Sequence, residues 1–212
     1  MVAVTVMGCS SQSAFSPSIK FVPTSSSPTS SALPQVGSIV NSSTVFAGSY
    51  NWFEYQSATT KGSNNGIVLD MKVERSVGTY QGRPAIHCKI TTTTPDASYG
   101  NFYDAYYDPS TNSMLGGTMT IETNGYKMTV NIPPSQMPVT GITDFEKTSP
   151  VIYAGTENVS VPSGSYPNAS KYIRSMNEAT ESYWAVSGIP IPVKMVSSSP
   201  NETITSELMG WG

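Results

Sequence analysis

The sequence predicts an all-β protein whose strands form one strongly curved, antiparallel up-and-down sheet, an open half-barrel. Charged residues make up only 12% of the 212 residues, while Gly, Pro, Ser, Thr and Asn are abundant. Such a composition favours strands and turns over helices. From Thr44 onward, apolar and polar residues alternate with a period of two, and turn signals separate the alternating runs. We expect about eleven strands, joined by short turns, with little helix.

Alternation is clearest in the first half of the expected β domain. The runs that carry it are residues 67–74, 86–90, 114–122 and 126–132. Each run places one residue in two on an apolar face, as a half-buried strand requires. Asn124-Gly125 joins the last two runs and fits a two-residue type I′ turn. Gly116-Gly117 falls inside a run, which predicts a bulge or a sharp bend there.

The C-terminal third continues the pattern after a longer loop at residues 134–150. The predicted strands of this part are residues 151–161, 166–175, 181–187, 191–198 and 204–211. Tight hairpins are expected at Pro162-Ser163-Gly164 and at Pro200-Asn201-Glu202. The one helix candidate is Thr143–Thr148, where Thr143 and Glu146 have the spacing of a capping box.

Residues 10–42 are predicted to form a disordered tether. They are rich in Ser, Thr and Pro, and Lys20 is the only charged residue before Glu54. Such a segment buries too little apolar surface to offset its ordering entropy. The predicted organisation is therefore a short N-terminal segment at residues 1–9, the tether at 10–42 and a single β domain at 43–212.

The first nine residues resemble the end of a prokaryotic lipoprotein signal peptide. A short apolar run, Val4–Gly8, ends at Cys9, and the Ser-rich tether follows at once. In a lipobox the cysteine after a small residue is lipidated and becomes the mature N-terminus. The resemblance implies a signal-peptide remnant, lipidation of Cys9 and an extracytoplasmic, membrane-anchored protein at the cell surface or in a periplasm-like space. Two alternatives stay open, an incidental cysteine in a disordered N-terminus and a Cys9–Cys88 disulfide.

Composition and the placement of reactive residues argue against several functions. The net charge of −3 provides no basic surface for nucleic acid, and no run reaches the ~20 apolar residues of a membrane-spanning helix. His87 is the only histidine, and its neighbour Cys88 would point to the opposite face of a strand. Asp104 and Asp108 would lie about 13 Å apart along a strand, too far for a pair of glycosidase carboxylates. We expect a non-catalytic monomer without metal or cofactor.

The apolar face of these strands has to be buried, and the inner surface of such a curved sheet is too wide to fill easily without a helix. Large aromatic side chains either pack there as an ordinary core or line an apolar cavity for a hydrophobic ligand. The candidate cavity residues are Trp52, Tyr55, Tyr106, Tyr183 and Trp184. The alternative is a glycan-binding or cell-wall-binding module that uses exposed aromatics such as Tyr103, Tyr106 and Tyr107.

A set of motifs in the C-terminal third resembles small exported β-proteins of unknown function. It consists of the hairpin Gly-Thr-Glu-Asn-Val-Ser-Val-Pro-Ser-Gly-Ser-Tyr at residues 155–166, then Tyr183-Trp184, then Ile-Pro-Ile-Pro-Val-Lys at residues 189–194. Those proteins are similar in turn to the lipoprotein carriers of the LolA/LolB type, which are curved antiparallel half-barrels around an apolar cavity. The Ser/Thr-rich, sequon-bearing style of the chain also resembles exported proteins of methanogenic archaea.

The resemblance implies an exported lipoprotein that binds a hydrophobic ligand, a lipoprotein or another envelope partner. It implies structural roles for the matched residues, with Gly155 and Gly164 in turns or bulges, Pro162 at a strand end and Trp184 in the sheet interior. The scarcity of helix departs from the carriers, which use helices to cover or plug their cavity.

Four Asn-x-Ser/Thr sequons are present in the chain. In an exported protein such sequons are candidate glycosylation sites. The candidate asparagines are Asn41, Asn158, Asn168 and Asn201. The motif is short and arises often by chance in a chain this rich in Ser, Thr and Asn, so each site is a hypothesis.

Overall fold

The structure is a computed structural model, and it describes residues 33–61, 66–111, 113–134, 150–176 and 178–212. These residues form one antiparallel sheet of twelve strands and one short helix, α1, at Ser42–Val45. The first strands are β1 (Ile39–Asn41), β2 (Trp52–Lys61), β3 (Val68–Tyr80), β4 (Arg83–Thr93), β5 (Tyr99–Tyr107), β6 (Met114–Thr123) and β7 (Tyr126–Ile132). The others are β8 (Pro150–Val161), β9 (Gly164–Met176), β10 (Ala179–Ala185), β11 (Lys194–Ser198) and β12 (Thr203–Trp211).

The sheet consists of two meanders that lie side by side. Strands β2 to β7 follow one another in space, as do β8 to β12, and β12 pairs with β2 to make the sheet continuous. β1 pairs with β8 at one edge and β7 forms the other edge, so the described sheet is open and not closed into a barrel. The predicted fold class, a curved open antiparallel sheet with little helix, is confirmed.

Two-residue turns connect strands of the first meander where the sequence predicts them. Asn124 and Gly125 have φ angles of 48° and 82°, and Gln81 and Gly82 have φ angles of 50° and 77°. Positive φ at both central residues is what a type I′ turn requires, and the twist of that turn matches the twist of the flanking strands. The hairpins predicted near residues 162 and 201 also form.

The irregularity predicted at Gly116-Gly117 is a bulge in β6. The register with β5 shifts between Tyr106 and Tyr107, which leaves Leu115 as the extra residue. Gly116 has a φ of 152°, a conformation that residues with a side chain rarely adopt. A Cβ on Gly117 would lie 2.5 Å from the Asp104 carbonyl oxygen of β5, so glycine allows these two strands to approach each other closely.

One face of the sheet, here called the core face, is packed by its own side chains and by the loop between β10 and β11. The largest fully buried side chains are Tyr55, Phe53, Ile191, Leu208, Val73, Val151, Val193, Pro192 and Cys88. The loop at residues 186–193 lies on the core face, and the Tyr55 hydroxyl donates a hydrogen bond to the Pro192 carbonyl. Segments far apart in the sequence therefore close the core over each other.

The strand predicted at residues 191–198 begins three residues too early. β11 starts at Lys194, and Ile191 and Val193 belong to the buried loop, each with 0% exposure. Pro190 and Pro192 lack the N–H groups that a strand ladder needs. An apolar run with alternate prolines has the composition of a strand here but packs as a loop.

The last residues of the segment predicted as a tether contain strand β1. Ile39–Asn41 pairs with β8, and the Gly37 N–H donates a hydrogen bond to the Tyr153 carbonyl. A three-residue edge strand carries too little periodicity to be recognised in a polar segment, and its stability comes from the neighbouring strand. Residues 1–32 and the helix candidate Thr143–Thr148 lie outside the described residues.

Replacing Tyr55 with Phe removes the hydroxyl and leaves the buried Pro192 carbonyl without its donor. We expect the free energy of unfolding to fall by about 1–3 kcal/mol. Urea denaturation measures the change, with Tyr126→Phe as the matched control, because Tyr126 is 84% exposed. Equal stability of the Tyr55→Phe variant and the wild type would contradict a structural role for this hydrogen bond.

Candidate functional site

A groove lies on the outer face of the sheet, the face opposite the core face, where β5, β6 and the end of β7 lie side by side. Its volume is about 770 Å³, and it is open to solvent. The residues that line it are Tyr80, Asp104, Tyr106, Leu115, Gly116, Gly117, Thr118, Asn131, Ile132, Pro133 and Pro134. Tyr106 and residues 132–134 stand on opposite sides of β6, so the groove has an aromatic wall and a proline-rich wall.

Strand register arranges the outer-face residues at the groove in two rows. The aromatic row contains His87 on β4 and its partner Tyr106 on β5. The polar row contains Asp104 on β5, Thr118 on β6 and Asn131 on β7, which are consecutive register partners. The two rows are two residues apart along β5, which is about 6.5 Å at the rise of a strand. An apolar surface and a line of hydrogen-bonding groups therefore lie next to each other.

The aromatic row is a set of rings in mutual contact. The His87 and Tyr106 rings are stacked, with centroids 4.5 Å apart and planes 7° apart. The Tyr80 ring lies 4.9 Å from the Tyr106 ring at an angle of 30°. A Cβ on Gly116 would clash with the Tyr80 hydroxyl. The bulge glycine thus provides the space into which Tyr80 reaches across the sheet.

Asp104 supplies the negative charge of the groove. His87 Nε2 lies 2.6 Å from Asp104 Oδ1, and the Asp104 side chain is 42% exposed. Burial raises the pKa of Tyr106, and the charge of the Asp104 carboxylate raises this pKa further. The Tyr106 phenol therefore stays protonated at neutral pH, and its side chain is hydrogen-bonded to Asp104.

The five aromatic residues predicted to line a cavity do not come together. Tyr55 and Tyr183 are buried on the core face, with exposures of 0% and 4%. The other three lie on the outer face, because successive residues of a strand point to opposite sides. There Trp52 contacts the glycines at the C-terminus, Trp184 contacts Lys171, and Tyr106 borders the groove.

The exposure predicted for Tyr103 and Tyr107 is wrong. Their exposures are 8% and 4%, and both lie on the core face of β5, whereas Tyr106 lies on the outer face. The sequence does not indicate Tyr80 as a site residue. It ends β3 beside the Gln81-Gly82 turn, and it reaches Tyr106 only because β3, β4 and β5 are neighbours.

A second cluster on the outer face surrounds Trp184. The indole N–H of Trp184 donates a hydrogen bond of 2.9 Å to Glu157 Oε2. Lys171 Nζ lies 2.8 Å from Glu157 Oε1 and 4.9 Å from the centre of the Trp184 ring. These hydrogen bonds hold the pKa of Glu157 below its ordinary value, with Lys171 as the larger cause. The carboxylate fixes a tryptophan between β8 and β10, which is a structural role.

His87 and Cys88 point to opposite faces, as predicted, and no dyad joins them. Cys88 is fully buried on the core face. It is disulfide-bonded. The chain contains two cysteines, so a disulfide at Cys88 competes with a lipid for the sulfur of Cys9.

The four candidate glycosylation sites have exposed asparagines. Asn158 lies at a register shift in the β8–β9 hairpin, and its side-chain oxygen accepts a hydrogen bond from the Asn168 N–H. Exposure satisfies the access that an attached glycan needs. Glycosylation of Asn41, Asn158, Asn168 and Asn201 stays a prediction.

Among the described residues, no three His, Cys, Asp or Glu side chains come together in a group that could hold a metal ion. The described part of the chain also has no helix long and apolar enough to cross a membrane.

No protein-family model matches the chain, and no curated protein matches it. Among solved structures, the chain is similar to the crystal structure of a "putative lipoprotein" from Parabacteroides distasonis ATCC 8503. The two share 11% sequence identity with a TM-score of 0.36, over 78% of this chain and 96% of the other. A similarity this weak supports no conclusion about fold or function. The resemblance to lipoprotein carriers and to methanogen proteins stays a prediction.

Replacing Glu157 with Gln removes the charge that Lys171 and Trp184 bind. A carboxylate whose pKa is lowered by folding stabilises the protein above its unfolded pKa, and this stabilisation is lost as the pH falls through the folded pKa. Because Glu157 is half exposed, we expect a loss of only about 0.5–1 kcal/mol at pH 7.

The difference in unfolding free energy between the wild type and Glu157→Gln should shrink as the pH is lowered below about 4. Denaturant titrations at pH 7 and pH 3 measure it, with the exposed Glu178→Gln as control. An equal difference at both pH values would show that the charge of Glu157 contributes nothing.

Proposed function

We propose that this protein is an extracytoplasmic, non-catalytic module that binds glycan in the outer-face groove. The observation that carries the proposal is the aromatic row of His87, Tyr106 and Tyr80 beside the polar row of Asp104, Thr118 and Asn131. Binding sites for small molecules combine apolar and aromatic walls with a few placed polar groups. A sugar ring has the same division, with C–H groups on its faces and hydroxyls around its edge.

The polar row offers both kinds of hydrogen-bonding partner. The Asp104 carboxylate accepts, the Asn131 amide donates and accepts, and the Thr118 and tyrosine hydroxyls do both. Sugar hydroxyls also do both, so each can pair with a group of this row. The groove is open to solvent at its mouth, which suits a unit within a polymer as well as a chain end.

The outer-face groove is a better candidate for the ligand site than a hydrophobic cavity on the core face. Tyr55, Ile191 and Val193 fill that face where the two meanders meet, each with 0% exposure. A hydrophobic ligand there would have to displace the loop at residues 186–193 and break the hydrogen bond between Tyr55 and Pro192. An envelope glycan in the outer groove displaces no side chain of the packed core.

An extracytoplasmic location is consistent with both predicted states of Cys9. Lipidation places the chain on the outside of a membrane, and a Cys9–Cys88 disulfide forms in an oxidising compartment. We place the membrane anchor on Cys9 because the Ser-rich segment after it has the composition of a tether. This anchor requires that the sulfur of Cys9 is not in a disulfide with Cys88. The tether would then hold the groove within reach of the polymers of the envelope.

The anchor is tested by Cys9→Ser in a bacterial host that processes lipoproteins. We expect the variant to leave the membrane fraction, because its hydroxyl cannot receive the thioether-linked lipid. Ser10→Ala is the control and should stay membrane-bound. If Cys9→Ser remains with the membrane, lipidation of Cys9 is not the cause of attachment.

Glycan binding is tested with the full chain on a panel of neutral and acidic envelope polysaccharides, by affinity electrophoresis. Tyr106→Ala removes the central ring of the aromatic row, and we expect binding to weaken by about tenfold or more. Tyr126→Ala, an exposed tyrosine outside the groove, should bind as the wild type does.

The proposal fails if no polysaccharide retards the wild-type protein. It also fails if Tyr106→Ala and the wild type bind equally. Co-purification of a lipid, identified by mass spectrometry of organic extracts, would favour the hydrophobic-ligand hypothesis instead.

A further inference from the structure

We infer that the groove selects uncharged glycans over anionic ones, and that Asp104 is the residue that sets this selectivity. The inference rests on the proposed function and names the ligand class of the same site. It concerns polymers that differ in charge, such as neutral hexose chains and chains of uronic acids. Both kinds present the same C–H faces to an aromatic wall, so the aromatic row by itself does not distinguish them.

The described lining of the groove carries a negative charge. Asp104 is the only residue with a formal charge among the described residues that line the groove. Within the described part of the chain, the lining contains no Lys or Arg with which a sugar carboxylate or phosphate could pair. An anionic ligand would therefore meet a like charge and gain no compensating ion pair, a form of rejection that specific sites use against wrong ligands.

Two residues of β4 lie beside Asp104, and neither lines the groove. Lys89 is its register partner on β4, on the side away from β6. Lys89 is exposed, and no ion pair between the two is found within the described chain. His87 binds Oδ1 from the same side. Both groups therefore stand behind the carboxylate as seen from Thr118 and Asn131.

The Asp104 carboxylate can also accept hydrogen bonds from a ligand. A carboxylate has about four acceptor sites on its two oxygens. His87 uses one at Oδ1, and the Tyr106 side chain uses another. The remaining capacity accepts protons from sugar hydroxyls, which every neutral hexose supplies. Asp104 thus attracts the neutral ligand and repels the anionic one with the same group.

Asp104 lies at one end of the polar row. Asp104, Thr118 and Asn131 are register partners on adjacent strands, and adjacent strands lie about 4.8 Å apart. A sugar unit that rests against Tyr106 and reaches Asn131 has to pass over Thr118, beside the Asp104 carboxylate. The edge of the sugar that carries a C6 carboxylate or hydroxyl then comes within range of this charge.

The experiment compares polymers matched in backbone and different in charge. The full chain is tested by affinity electrophoresis against hydroxyethyl cellulose and carboxymethyl cellulose, dextran and carboxymethyl dextran, and highly methyl-esterified pectin and polygalacturonate. In each pair that binds, we expect the wild type to bind the neutral polymer about tenfold more tightly than the anionic one. The preference is no larger because solvent partly screens the Asp104 carboxylate. Added salt should reduce the preference, since it screens like-charge repulsion.

Asp104→Asn keeps the size of the side chain and one acceptor oxygen, replaces the other oxygen with an amide donor and removes the charge. We expect the neutral-to-anionic ratio to fall toward one in this variant. Asp108→Asn is the control, because it makes the same charge change in the turn after β5, where Asp108 accepts hydrogen bonds from Ser110. The control should keep the ratio of the wild type. A merely structural role of Asp104 would weaken binding of both members equally and would not remove the salt dependence.

Two results overturn the inference while leaving glycan binding intact. One is a wild type that binds the anionic members as tightly as the neutral ones, through a site that Tyr106→Ala disrupts. The other is a ratio that is the same in Asp104→Asn and Asp108→Asn. If the wild type binds no member of any pair, the proposed function fails and this inference fails with it.

Discussion

The pairing of β12 with β2 is the constraint on which the rest of the structure depends. It joins the last strand of the chain to the first long one and turns two meanders into one continuous sheet. Without it, each meander would present an additional open edge, which sheet proteins avoid because unpaired edges recruit other chains. It also brings the loop at residues 186–193 over the core face of β2. The hydrogen bond from Tyr55 to Pro192 then links residues 137 positions apart.

The filling of the core face has a direct consequence for function. The buried loop and the aromatic core occupy this face between the meanders and leave no room there for a ligand. The groove forms instead on the opposite face, at the bulge of β6. Extra length at Leu115 and the missing side chain at Gly116 open a space that a regular strand would close. The irregularity of the sheet and the candidate site are thus the same feature.

Residue-level chemistry predicts the parts of this fold that depend on near neighbours. Strand rhythm, the Asn124-Gly125 turn and the Gly116-Gly117 bulge follow from period two and from positive φ, and all three form. The same reasoning misjudges the first residues of the strand expected at 191–198 and the exposure of Tyr103 and Tyr107. In each case an apolar or aromatic residue has two compatible environments, and only a distant segment selects one of them.

Local sequence specifies that this chain is an open antiparallel sheet, because alternation and turn residues act over a few positions and need no partner to be identified. The tertiary structure alone specifies which side is core and which bears the groove, and it alone brings Tyr80 to Tyr106 and Asp104 into line with Thr118 and Asn131. The physical reason is that register and strand order are set by burial summed over the whole sheet, and a shift of one residue would reverse every side chain.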